Sequence, residues 1–379
     1  MPNPTGLKKK IFVSPQDSLR YAKLKEKIYK SLQAKYQSLG GEAFGKITRR
    51  DFSVWHTNTG ACICYNATKE ASYEIHGAIY EKWMKLGGVS WSMPTTDESS
   101  AKDNVGRFNL FERGTSIFWH PTTGAYCVFG DIFQHWVSLG REQSYLGYPT
   151  SDETAFPEGG RANTFQNGGI YWWGNTGAID LRDVVISYKG IHCFGETDND
   201  HLSPSDEPYV VLSYSSPERT DTVRSKVYEG VDAGETFTDF TELYRGKPYG
   251  IVLNTVVMEH DESNPDAYRD EIRKTVMAVH SAGVIALGLI PLVGPIIASV
   301  AGPGLGALMP TVADELHKVF DFGDDTIGAS TVTLSARQMV LLAARTSTSK
   351  FNNLDYKIET DLVAGEGASY KAYFDIYPV

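Results

Sequence analysis

Self-similarity constrains this chain more than any other property. Ile79, Trp83, Leu86 and Gly87 recur in the same order and spacing as Ile132, Trp136, Leu139 and Gly140. Downstream, Pro94-Thr95, Asp97 and Glu98 answer to Pro149-Thr150, Asp152 and Glu153, and Gly106-Arg107 answers to Gly160-Arg161. Trp119 and Gly124 answer to Trp172 and Gly177, so Leu86 to Trp119 spans as many residues as Leu139 to Trp172. A shortened copy precedes both, with Leu39-Gly40, Trp55 and Gly60 but without the Pro-Thr-x-Asp-Glu turn. A repeat of this length is one supersecondary unit that buries its apolar face only against a neighbour.

Each unit reads as a short amphipathic helix ending at Leu-Gly, a turn, and an aromatic hairpin closed at Thr-Gly. The units resemble the LGFP repeat, named for turns such as Leu146-Gly147-Tyr148-Pro149, over residues 28–182. That family occurs in actinobacterial envelope proteins, so the resemblance implies anchoring to envelope polysaccharide. Sugars offer apolar ring faces for stacking and hydroxyls for paired hydrogen bonds. The candidates are Trp119, Trp172, Trp173, Asp97, Asp152, Arg107 and Arg161. Two alternatives stand beside this: a Trp in every unit also serves as inter-unit core, and the arginines also serve as partners of Asp97 and Asp152.

Near Arg182-Asp183 the Trp pattern gives way to Val-, Ile- and Tyr-rich alternation. Strands are expected at 184–194, 208–215, 224–230, 235–243, 250–259, 329–335 and 367–378, with a helix over 336–346. The fold class is mainly β with α: an N-terminal repeat module and a C-terminal antiparallel sandwich with a helical insertion. The expected divisions are an arm at 1–27, the repeat module at 28–182, and the sandwich at 183–379.

Acidic pairs sit where strands of this second half begin and end. Asp200 and Asp206 precede Pro208-Tyr209-Val210, Glu259 and Asp261 follow a hydrophobic strand, and Asp325 opens Thr326-Ile327-Gly328. Hard cations take six to eight oxygens from such loops. These residues resemble the C-two domain, the calcium- and phospholipid-binding sandwich. The departures are an extra Glu207 and a far longer stretch between Asp261 and Asp325. The resemblance implies calcium held by Asp200, Asp206, Glu259, Asp261 and Asp325, with Asp198, Asp321 and Asp324 as further ligands. Within the inserted segment 264–320, residues 275–313 carry no Asp, Glu, Lys or Arg. Its helix begins near Asp266, and Thr311–Phe320 reads as an exit helix. Prolines and glycines break the middle, which is marginal for a spanning hairpin, since one crossing takes about 20 apolar residues. Leu289, Ile290, Ile296 and Ile297 are the candidate membrane contacts, and a hairpin buried on its own domain is the alternative.

A formal charge of −10 over 379 residues argues against nucleic acid, whose phosphates need clustered cations. Cys62, Cys64, Cys127 and Cys193 lack metal-ligand spacing and read as small buried residues. Met1-Pro2-Asn3-Pro4 opens no apolar signal segment, which leaves a cytosolic protein, an unconventional exit or a removed leader. No nucleophile elbow, zinc-helix motif or phosphate loop is present, so no catalytic residue is assigned and the chain is read as a non-enzyme. The expected function is two-part: polysaccharide binding by the repeats and calcium-dependent contact with a phospholipid membrane by the sandwich, as in a toxin or defence effector. An oligomer is left open. The alternatives are a calcium-dependent hydrolase with dispersed residues and a structural scaffold.

Overall fold

In a computed structural model, residues 15–196, 206–260, 264–286 and 326–379 are described. The chain divides into two compact units, Met1–Phe133 and Gln134–Val379.

The first unit holds two helix-plus-meander copies. Helix α1 (Pro15–Ser38) precedes strands β1 (Ile47–Arg50), β2 (Val54–Thr57), β3 (Ala61–Asn66) and β4 (Ala71–His76). Helix α2 (Gly77–Leu86) precedes β5 (Ser99–Ser100), β6 (Arg107–Phe111), β7 (Thr115–His120) and β8 (Gly124–Phe129). Both sheets run in sequence order with antiparallel neighbours. The recurring Leu-Gly is a helix stop: Gly87, at φ 115, turns left-handed and donates its N–H to Met84 and Trp83 carbonyls, a conformation costly for any residue with a Cβ.

Strand β3 is buried along its whole length because it has a helix on each face. Ile63 and Tyr65 pack with Ile28, Leu32 and Tyr36 of α1, while Cys62 and Cys64 pack with Ile79 and Trp83 of α2. The four cysteines are buried and form no disulfide, and Cys62 and Cys64 pack in one cluster with Trp83. Phe111, Ile117 and Cys127 meet that same core from the second sheet, so α2 serves two sheets.

The second unit opens with the third copy. Helix α3 (Gly130–Leu139) begins just before it, and β9 (Thr154–Phe156), β10 (Gly160–Phe165), β11 (Gly168–Trp173) and β12 (Gly177–Leu181) follow. The sandwich consists of β13 (Val184–Gly195), β14 (Pro208–Ser215), β15 (Thr220–Arg224), β16 (Thr236–Gly246), β17 (Ile251–Glu259) and β18 (Thr326–Leu334), then β19 (Ser349–Phe351), β20 (Leu354–Tyr356), β21 (Ile358–Glu359), β22 (Val363–Gly365) and β23 (Ala368–Pro378). One sheet runs β16-β13-β23-β21 with β22 also on β23, and the other runs β15-β14-β17-β18.

Period-two alternation explains the shared core. Val210, Leu212 and Tyr214 of β14 point inward against Ile186, Tyr188, Phe374 and Ile376. The alternate residues Tyr209 and Val211 face outward, where Ile272 and Val276 of helix α4 (Pro265–Ala286) cover them. Helix α5 (Ala336–Ala344), started by a capping box between Ser335 and Gln338, adds Met339 and Val340 to the inner core. Phe156, Tyr171, Trp173 and Leu181 of the third copy join it too. The repeat pattern therefore stops near Arg182, but the packing boundary lies inside α3.

Two local expectations change. Residues 225–230 are not a strand, since β15 ends at Arg224: Ser225 accepts Arg224 Nη1 on its carbonyl and donates its N–H to Val210 O, closing the edge. The short strands β19–β22 were not expected, being too brief to show alternation. Among the described residues no helix is long and apolar enough to cross a membrane.

Candidate functional site

One pairing repeats in every copy: an arginine lies directly across the hairpin from the recurring Trp. Arg50 opposes Trp55 in β1–β2, Arg107 opposes Trp119 in β6–β7, and Arg161 opposes Trp172 in β10–β11. Directly opposed residues project on the same face, so each hairpin carries a guanidinium beside an indole.

The first of these ledges is closed. Arg50 lies 4.7 Å over the Trp55 ring, Tyr29 of α1 meets that ring edge-on at 5.1 Å, and Trp55 is buried. The other two are partly open and gain an acid that the shortened copy lacks. Arg107 lies 3.8 Å from Glu98 and donates to Ser100 Oγ, while Arg161 lies 3.8 Å from Glu153. Burial raises the Glu98 carboxyl above its ordinary range and pushes that of Glu153 to about 7, against the opposing pull of Arg161. The acid partner is thus Glu98 or Glu153, the residue after the expected one.

Trp119, Arg107 and Glu98 line a cleft of about 670 Å³ together with Leu39, Phe44 and His76. His76 Nδ1 lies 3.2 Å from Glu98 Oε2. Behind it, Glu98 donates its N–H to Glu74 Oε1 at 3.2 Å, and burial with the nearby Asp97 charge pushes Glu74 to about 7. An aromatic face, a cation and hydrogen-bonding carboxyls on one concave wall suit a polyhydroxylated ring.

Two expected members make other contacts. Trp173 is a core residue: 2% exposed, it donates Nε1–H to Pro157 O at 3.0 Å and meets Phe156 edge-on. Its place in β11 turns it to the face opposite Trp172. Asp97 braces the turn, accepting from Lys35 Nζ at 2.6 Å and from the Glu74 N–H at 3.0 Å. Asp152, half-buried, holds the equivalent position before Glu153. Sequence reasoning passed over Glu98, Glu153 and His76, although both glutamates stood in the repeated turn motif. His76 has no such signal, for its counterpart is Phe129.

Of the five expected calcium ligands, Asp206 and Glu259 are described, while Asp200, Asp261 and Asp325 lie outside the described residues, as do Asp198, Asp321 and Asp324. Asp206 is buried, and its Oδ2 accepts the Tyr370 hydroxyl at 2.6 Å. Glu259 Oε1 accepts the Glu207 N–H at 2.6 Å. Among the described residues no group of three or more His, Cys, Asp or Glu is placed to hold a metal ion. Leu289, Ile290, Ile296 and Ile297 also lie outside the described residues.

Comparison with protein families finds the LGFP repeat at residues 92–144 and 146–187. The match covers the sheets of the second and third copies with α3, and leaves α2 and the closed first copy outside. Comparison with curated proteins finds no match.

Proposed function

We propose that the repeats bind a neutral, hydroxyl-rich polysaccharide of a cell envelope, with the Trp119 cleft as the principal subsite and the Trp172 ledge as a second. The observation that carries this reading is the recurrence of Trp, Arg and Glu on one hairpin face in both full copies. The closed first copy keeps the arginine over its buried Trp55 but lacks the acid, so the added carboxyl is what marks the two open ledges. The LGFP match supports an envelope ligand. Arg107 and Glu98 donate to and accept from adjacent hydroxyls, and Trp119 takes the ring face. Sedimentation of the full chain with insoluble envelope polysaccharide tests this: Trp119→Ala weakens retention about tenfold, equivalent to roughly 1.4 kcal/mol. Retention unchanged by Trp119→Ala and Trp172→Ala together overturns it.

A second reading concerns the sandwich. β14 starts and β17 ends at one edge, where Pro208 pairs with Glu259, so Asp206, Glu207 and Glu259 gather at a single end. Calcium there rests on Asp200, Asp261 and Asp325 joining them, since the described carboxylates by themselves form no metal-holding group, and the apolar segment would then contact a membrane. The protein acts in this reading as a binder without catalysis.

A further inference from the structure

We propose that the groove between β15 and α4 binds a phosphate group. It is an open groove of about 550 Å³, lined by Arg224 and Lys226 at the end of the strand and by Asp266, Arg269 and Arg273 on the helix. In a chain of net charge −10, the groove gathers four cations, with Asp266 in the lining and Asp221 and Asp270 beside it. The helix supplies its share because Asp266, Arg269 and Arg273 fall on one face at three- and four-residue spacing. That face is fixed beside β15 by the seating of Ile272 and Val276 on Tyr209, Val211, Val256 and Met258.

Ion pairs hold the arginines in place without exhausting their donors. Arg224 donates Nε to Asp266 at 2.6 Å and Nη1 to Ser225 O at 2.9 Å. Arg269 is divided between Asp266 and Asp270. Arg273 reaches Asp221 through Nη2 at 3.3 Å. Lys226 pairs with no carboxylate among the described residues; its ammonium sits 5.5 Å over the Tyr228 ring. Among the described residues, Arg224 Nη2, Arg273 Nε and Nη1, and Lys226 Nζ make no hydrogen bond and are left for a ligand. Donors from three separate residues around a concavity suit a tetrahedral oxyanion, which presents acceptors in several directions, better than a planar carboxylate. The arginines are already oriented, so little ordering cost falls on binding.

Calorimetry of the full chain with inorganic phosphate and with pyrophosphate at neutral pH and low salt tests the site. Sedimentation with phosphatidylcholine vesicles, with and without phosphatidic acid, forms the second arm. Saturable binding that Lys226→Gln and Arg273→Gln each weaken at least about fivefold is the expected result. Its appearance with the soluble anions assigns the phosphate to a free ester, and its appearance with phosphatidic acid vesicles alone assigns it to a lipid headgroup. Absence of binding in both arms, or binding that both variants retain, overturns the proposal. Lys226→Gln breaks no ion pair among the described residues and gives up only its contact with the Tyr228 ring, so it should melt close to the parent and decides the question by itself if Arg273→Gln unfolds early.

Discussion

Replacing Glu74 with Gln should stabilise the protein in mild alkali and leave it unchanged in acid. Glu74 is buried with its Oε1 accepting the Glu98 N–H, an acceptor role that Gln retains. Burial first, and the Asp97 charge second, push its carboxyl from 4.5 to about 7. The folded chain therefore keeps this proton to higher pH than the unfolded chain does. Stability from the group is full below pH 4.5, falls as pH rises toward 7, and is lost above that. The ceiling on the loss is about 3.4 kcal/mol at 1.36 kcal/mol per pH unit. Water reaches the nearby cleft and screens the charged form, so roughly 1–2 kcal/mol remains. Glu74→Gln escapes that loss and also removes a charge that raises Glu98. Its melting temperature should match the parent at pH 4 and exceed it by roughly 2–8 °C at pH 8. Calorimetric scans across that range provide the measurement. A variant that melts below the parent at pH 8, or a gap that does not grow with pH, refutes the account of Glu74 as a carboxyl held protonated by its surroundings.

Trp173→Ala should cost about 3–5 kcal/mol in chemical denaturation, because the ring is core rather than ledge; a loss of polysaccharide retention without a loss of stability would restore it to the binding surface. Roughly millimolar calcium should raise the melting temperature and a chelator should reverse the rise, while an unmoved transition removes calcium from the reading of Asp206 and Glu259.

The repeat was legible because its signals are local. Leu-Gly marks a left-handed helix stop, Thr-Gly marks a hairpin turn, and alternation in Val210–Tyr214 marks a strand with two apolar faces; each follows from backbone sterics or side-chain period within a few residues. The burial of the cysteines was legible as well, since none has metal-ligand spacing and Cys62 and Cys64 share one face of β3. What sets Trp172 apart from Trp173 is which side of β11 each occupies and what lies there, and neighbouring aromatics look alike in sequence. The choice of Glu98 over Asp97 as the partner of Arg107 rests on Lys35 arriving from α1 to take Asp97. His76 enters the cleft only because α2 begins beside it and brings one copy's edge to the next copy's ledge. The third copy likewise reads as a member of the repeat array, yet Tyr171, Trp173 and Leu181 complete a core with Val184, Ile186 and Met339. Local sequence determined the elements and their turns; the meeting of residues far apart in the chain decided which polar groups became a site and which became core, because burial and charge pairing are properties of the assembled neighbourhood.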